Sequence, residues 1–152
     1  MYDSKKMLEL GFAFMNAGEV NFCEGAIKSR SKYQNVAGVV NLAFACELYM
    51  KCLLNMDEEK CRDHKLTDLW GEYKKMHGDE AAKIESAVKD RLATNLTFDE
   101  MLHNDSNVFY NYRYLYEEER LGEIMDNPLR PQFLRFMAIE LYNFLCIKIG
   151  LS

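Results

Sequence analysis

Val36-Ala-Gly-Val-Val-Asn-Leu-Ala-Phe-Ala-Cys-Glu47-Leu-Tyr-Met-Lys51-Cys-Leu-Leu54 is the stretch on which the fold turns. Val36, Val39, Val40, Leu42, Phe44, Cys46, Leu48, Met50, Leu53 and Leu54 make it apolar nearly all round. A helix of that kind, spanning about Tyr33 to Asn55, has to be surrounded by other helices. Asn41, Glu47 and Lys51 lie inside the same run. Three polar groups in so short a stretch argue for a core helix over a membrane span.

Working outward, Leu8, Phe12, Met15, Phe22 and Ala26 recur at helical steps and predict a first helix over about Ser4–Lys28. Lys28-Ser-Arg-Ser-Lys32 then reads as a solvated connection, or as a small phosphate patch. After the central helix the polar loop Asp57-Glu-Glu-Lys60 intervenes, and Asp63 is the expected N-cap of a helix from His64 to Met76 that buries Leu66, Leu69, Trp70 and Tyr73. Asp79 is expected to cap a helix from Glu80 to about Ala93. Thr97-Phe-Asp-Glu100 has the spacing of a capping box, in which each side chain satisfies the other residue's amide. The polar run His103–Asn107 predicts a break, and Val108–Tyr116 a further, aromatic-rich helix. A last helix, about Pro131–Ile149, starts on a proline and is ended by Gly150.

The whole is expected to be all-α: an up-and-down bundle of four to five main helices, one domain over residues 1–152. Eight Gly and two Pro are too few for an all-β chain of this length with a turn every ten residues. At 49% apolar and 12% aromatic, the chain has the means to build a core. No repeat of 20 to 50 residues occurs.

Charge narrows the function. The net charge is -5, and residues 99–126 hold 2 Lys/Arg against 8 Asp/Glu. No segment has the cation density of a duplex DNA binder. The five Cys include no CxxC, and the three His are not at metal-ligand spacing, so no metal and no cofactor is expected. Lys5 and Lys6 are not followed by the apolar block of a signal peptide, which points to the cytoplasm.

Glu47 is the residue that most needs an explanation, because a carboxylate in so apolar a helix is costly without a partner. Lys51, one turn on, is at the favourable spacing. His64 and Arg113 are donors from elsewhere in the chain. The group reads either as a polar network that sets helix register or as the lining of a pocket for an anion, a nucleotide or an RNA end. His103 with Asn104 is a second polar candidate. Tyr110, Tyr112, Tyr114 and Tyr116 suit either a packing interface or a stacking platform for single-stranded bases. With 19 aromatic residues and nine Met, the chain carries apolar area enough to predict a homodimer.

Leu42–Leu54 with Glu47 and Lys51, then His64-Lys-Leu-Thr-Asp68-Leu69, then Phe109 through Arg113-Tyr114-Leu-Tyr116-Glu117 stand in an order that resembles the HEPN superfamily of small helical bundles. The resemblance covers residues 33–118. It implies a bundle paired with itself or with a partner protein encoded nearby, a defence, toxin-antitoxin or stress setting, and a polar pocket of Glu47, Lys51, His64, Asp68, Arg113 and Tyr114, with His103, Asn104 and Tyr116 as further candidates. The ribonuclease branch of that superfamily carries an Arg followed after four to six residues by a His. No Arg stands at that distance before His64, His77 or His103. The resemblance therefore implies a non-catalytic or diverged member, with a metal-independent ribonuclease using a relocated site, or a purely structural dimerisation module, as alternatives.

Overall fold

The computed structural model describes residues 3–21, 32–58, 62–106, 108 and 130–151. These residues are all-helical, in six helices: α1 (Ser4–Val20), α2 (Lys32–Met56), α3 (Leu66–Met76), α4 (Gly78–Asp90), α5 (Phe98–Asp105) and α6 (Arg130–Ile149). They form an α-helical bundle with α2 at its centre, packed against α1, α6 and α3. Its Leu42, Ala45, Cys46, Tyr49, Met50, Cys52 and Leu53 are wholly removed from solvent. Val36–Met56 is long and apolar enough to cross a membrane by length and composition alone, and 67% of that window is buried inside the bundle.

α1 crosses α2 antiparallel and very close. Gly11 faces the Tyr49 ring, Gly18 faces Leu42, and the Asn55 amide donates to Ser4 Oγ at 2.9 Å. α6 lies antiparallel to α1, with Glu19 bonded to Arg135 at 2.6 Å and Phe12 stacked on Tyr142 at 5.0 Å. α3 runs in the same direction as α2. His64, just before its start, reaches Glu47, while His77, at its end, reaches Asp57 ten residues further along. Leu66, Leu69, Trp70 and Tyr73 form its buried row, as the spacing predicts.

The helix ends show where local chemistry decides and where it does not. The Thr97 capping box forms in both directions, and Gly150 terminates α6 in the left-handed region at φ 76°, the conformation glycine adopts at least cost. Asp63 does not cap α3: the N-cap is Lys65, whose side chain makes no capping bond. Asp79 likewise lies inside α4, which begins one residue after the C-cap of α3, so that His77 serves both helices. There Asp79 and Glu80 meet the positive end of the α4 dipole instead.

The expected break at His103–Asn107 does not begin at His103. α5 continues to Asp105, and Asp105 and Ser106 are buried. Phe12, expected on the core stripe of α1, is 39% exposed and packs along α6 instead. The expected continuation of the first helix past residue 21, the connection at 28–31 and the aromatic stretch from 109 onward lie outside the described residues.

Candidate functional site

Glu47 is on the side of α2 that α3 approaches, and only 7% of it is exposed. Its Oε1 accepts from Lys51 Nζ at 2.7 Å, across one turn of the same helix, and from His64 Nδ1 at 2.8 Å. Two donors on one oxygen answer the cost of placing a carboxylate in an apolar helix. The two donors are 3.4 Å apart, so both face the same anionic point.

The burial of the three members differs sharply. The Glu47 and Lys51 side chains are 9% and 18% exposed, whereas that of His64 is 77% exposed. With its proton on Nδ1 and directed at Glu47, the ring turns Nε2 outward as an acceptor. Protonated, it becomes a cation with Nε2–H as a donor. A buried carboxylate orienting an exposed imidazole, with an ammonium beside it, is an arrangement able to hold a hydroxyl or a phosphate oxygen and to move a proton.

Asp68 is exposed on the first turn of α3, with its Oδ1 accepting from Thr67 Oγ1 at 3.3 Å. His103 and Asn104 are exposed near the end of α5. Ser106 Oγ accepts from the Thr67 amide at 3.0 Å, which brings that end of α5 to the same end of α3 as His64. Arg113, Tyr114 and Tyr116 lie outside the described residues. Of the residues singled out from the sequence, the structure thus joins Glu47, Lys51 and His64 directly.

Sequence reasoning missed a second group of polar residues. His77 Nε2 is 2.8 Å from Asp57 Oδ2, and the imidazole lies against the Tyr73 ring at 5.0 Å. The Tyr73 hydroxyl donates to Glu80 Oε2 at 2.5 Å, and Lys148 Nζ donates to the same oxygen at 2.7 Å. Hydrogen bonds from Lys148 and then Tyr73 hold the Glu80 carboxyl below its usual range, and burial followed by the Glu80 hydrogen bond holds the Tyr73 phenol protonated. The i,i+4 spacing of Tyr73 and His77 was the available signal. Nothing in the sequence links either residue to Asp57 or Lys148.

Cys46 and Cys52 are buried and behave as small apolar groups. Cys46 donates to the Leu134 carbonyl at 3.4 Å, and burial, followed by the nearby charge of Asp105, pushes its thiol well up from the ordinary value. Cys52 donates to the Ser4 carbonyl at 3.3 Å, and its thiol is pushed up to about 11, chiefly by burial. Neither has the thiolate character of a nucleophile. Among the described residues, no group of three His, Cys, Asp or Glu side chains is placed to hold a metal ion.

No protein-family model, curated protein or solved structure matches the chain.

Proposed function

We propose that this chain is a HEPN-like helical domain, non-catalytic or diverged, that works in the cytoplasm as a homodimer and binds a nucleotide, an RNA end or a partner protein. Glu47, Lys51 and His64 form the polar site, in a defence, toxin-antitoxin or stress setting. The observation that carries this reading is the contrast within the triad: Glu47 is buried and fixed by two donors, while His64 stands open to solvent. A network serving only to set helix register has no need of a ring so exposed. The order of the Glu47, His64 and Arg113 segments supplies the family part of the reading.

The test is a binding titration with adenosine monophosphate and with a short single-stranded RNA, followed by the imidazole resonances of the three His. The His64 signals should move with ligand while those of His77 stay in place. His64→Ala and Lys51→Ala should each weaken binding. Saturating ligand that leaves His64 unmoved would remove the site. For the dimer, light scattering at tens of micromolar should return twice 17.8 kDa, and a clean monomer would end that part of the proposal.

The Glu47–His64 contact favours one second reading. An imidazole oriented by a carboxylate is the usual form of a general base, and a well-placed one contributes about 10² to 10⁴ in rate. That points to metal-independent cleavage of RNA, whose own 2′-hydroxyl is the nucleophile. Mixed RNA incubated with the pure protein at neutral pH, with and without chelator, distinguishes the two readings: the binding module leaves it intact. Cleavage lost in His64→Ala with folding preserved would establish the enzyme.

A further inference from the structure

Of the three histidines, His64 is the one whose ring is both held and open. Its Nδ1 lies 2.8 Å from Glu47 Oε1, while its side chain is 77% exposed. An ionised carboxylate only accepts, so the ring proton is on Nδ1 and Nε2 keeps its lone pair on the far side of the ring from Glu47. Glu47 does not follow the ring into water: its side chain is 9% exposed, and Lys51 Nζ holds the same oxygen at 2.7 Å. His77 is arranged the other way round, with Nε2 bonded to Asp57 at 2.8 Å and a side chain only 26% exposed. His103 is exposed on α5, and no carboxylate among the described residues is bonded to it. An accessible Nε2 backed by a buried carboxylate is therefore found at His64 and at neither of the others.

We infer that His64 is a phosphoryl acceptor, its Nε2 taking a phosphoryl group from a small acyl phosphate. This rests on Glu47, Lys51 and His64 being a site and adds a covalent step to it. The Nε2 lone pair attacks phosphorus and the Nε2–P bond forms. The bond from phosphorus to the acyl oxygen breaks, and the carboxylate leaves with that electron pair. No proton has to move: Nδ1 keeps its own, and the ring gains the positive charge that the donor side gives up. Glu47 faces the Nδ1–H of a ring that turns cationic as it reacts, and a carboxylate so placed orients an imidazole and stabilises the charge that develops on it. The Lys51 ammonium, 3.4 Å from Nδ1, sets positive charge beside the ring at which a phosphoryl dianion arrives. Phosphoryl transfer asks little of a protein beyond such positioning and charge. His64 is the nucleophile, and Glu47 is a positioning residue that acts through it.

The experiment is incubation of the full chain with acetyl phosphate at neutral pH, followed by intact mass and by fragmentation that assigns the modified residue. Wild type should gain one phosphoryl group, on His64, labile in acid and stable in base as a phosphorus–nitrogen bond is. The gain should be lost in His64→Gln and kept in His77→Gln. It should be lost as well in the chain unfolded in urea, where no carboxylate stands behind the ring. Glu47→Gln, with its fold checked by circular dichroism, should take the label more slowly than wild type, and an equal rate would overturn the role given to the carboxylate. Should that variant not fold, wild type contains the same comparison: His64 and His103 are both exposed and only His64 has the carboxylate, so equal labelling of the two overturns the proposal. No incorporation at all overturns it too. In that case His64 resonances that still move with adenosine monophosphate would leave the binding site standing without the covalent step.

Discussion

Gly11 of α1 lies so close to Tyr49 of α2 that a β-carbon on residue 11 would collide with ring carbon Cε1. Tyr49 is wholly buried, so any shift of its ring is made against packed neighbours. The two longest-paired helices of the bundle thus touch through a missing side chain, and Gly18 repeats the device against Leu42 one heptad later.

Gly11→Ala should therefore destabilise the protein by about 1–3 kcal/mol, because overpacking outweighs the gain of about 0.5–1 kcal/mol in helix propensity. Gly71, in the middle of α3, has nothing within 4 Å of its would-be β-carbon, and Gly71→Ala should stabilise by about 0.5–1 kcal/mol. Urea unfolding of both variants checks the pair. Equal effects of the same sign would show that helix packing does not decide at Gly11.

Glu47→Gln should cost about 1–3 kcal/mol, since one neutral amide oxygen replaces a buried carboxylate that serves both Lys51 and His64. The loss should show in chemical denaturation at neutral pH. A variant as stable as wild type would mean that the two donors find solvent at no cost.

Thr97→Ala removes one arm of the capping box at the start of α5, where Thr97 Oγ1 accepts from the Glu100 amide at 3.2 Å and the Glu100 carboxylate accepts from the Thr97 amide at 2.7 Å. A loss of about 1 kcal/mol is expected, measured as a shift of the denaturation midpoint. Thr97→Ser, which keeps the hydroxyl, should recover most of it.

The acid limb of the stability curve should depend on Glu80. Its carboxyl lies below the ordinary value of 4.5 because the folded state supplies Lys148 and Tyr73 as donors. A carboxyl depressed by folding contributes stability that is fully present above the ordinary value and is lost as the pH falls through the depressed one. Lys148→Met should flatten the decline in melting temperature between pH 5 and pH 3 relative to wild type. An unchanged acid limb would show that Lys148 does not act on Glu80 in solution.

The helices were legible in the sequence because what makes a helix is local. The 3.6-residue recurrence of Leu66, Leu69, Trp70 and Tyr73, the Thr97–Glu100 spacing and Gly150 each act within a turn or two of themselves, and each is found in its expected place. The apolar run around Leu42–Leu54 determined in the same way that α2 is central, since it has no face to give to water. Glu47 announced itself as a residue in need of donors, and Lys51 was readable one turn away.

Only the tertiary structure decided which distant groups meet. Neither periodicity nor propensity contains the direction in which α3 runs, yet that direction sends His64 to Glu47 and His77 to Asp57. Asp105 and Ser106 looked like loop residues because polar side chains in sequence look solvated, but the first turn of α3 and the core around Cys46 lie against them in the fold. Asp63 and Asp79 had the chemistry of caps and lost the positions, because packing set the starts of α3 and α4 at neighbouring residues. Local rules choose the element; burial of its apolar face chooses its ends, its direction and its partners, and that free energy is shared among residues far apart in the chain.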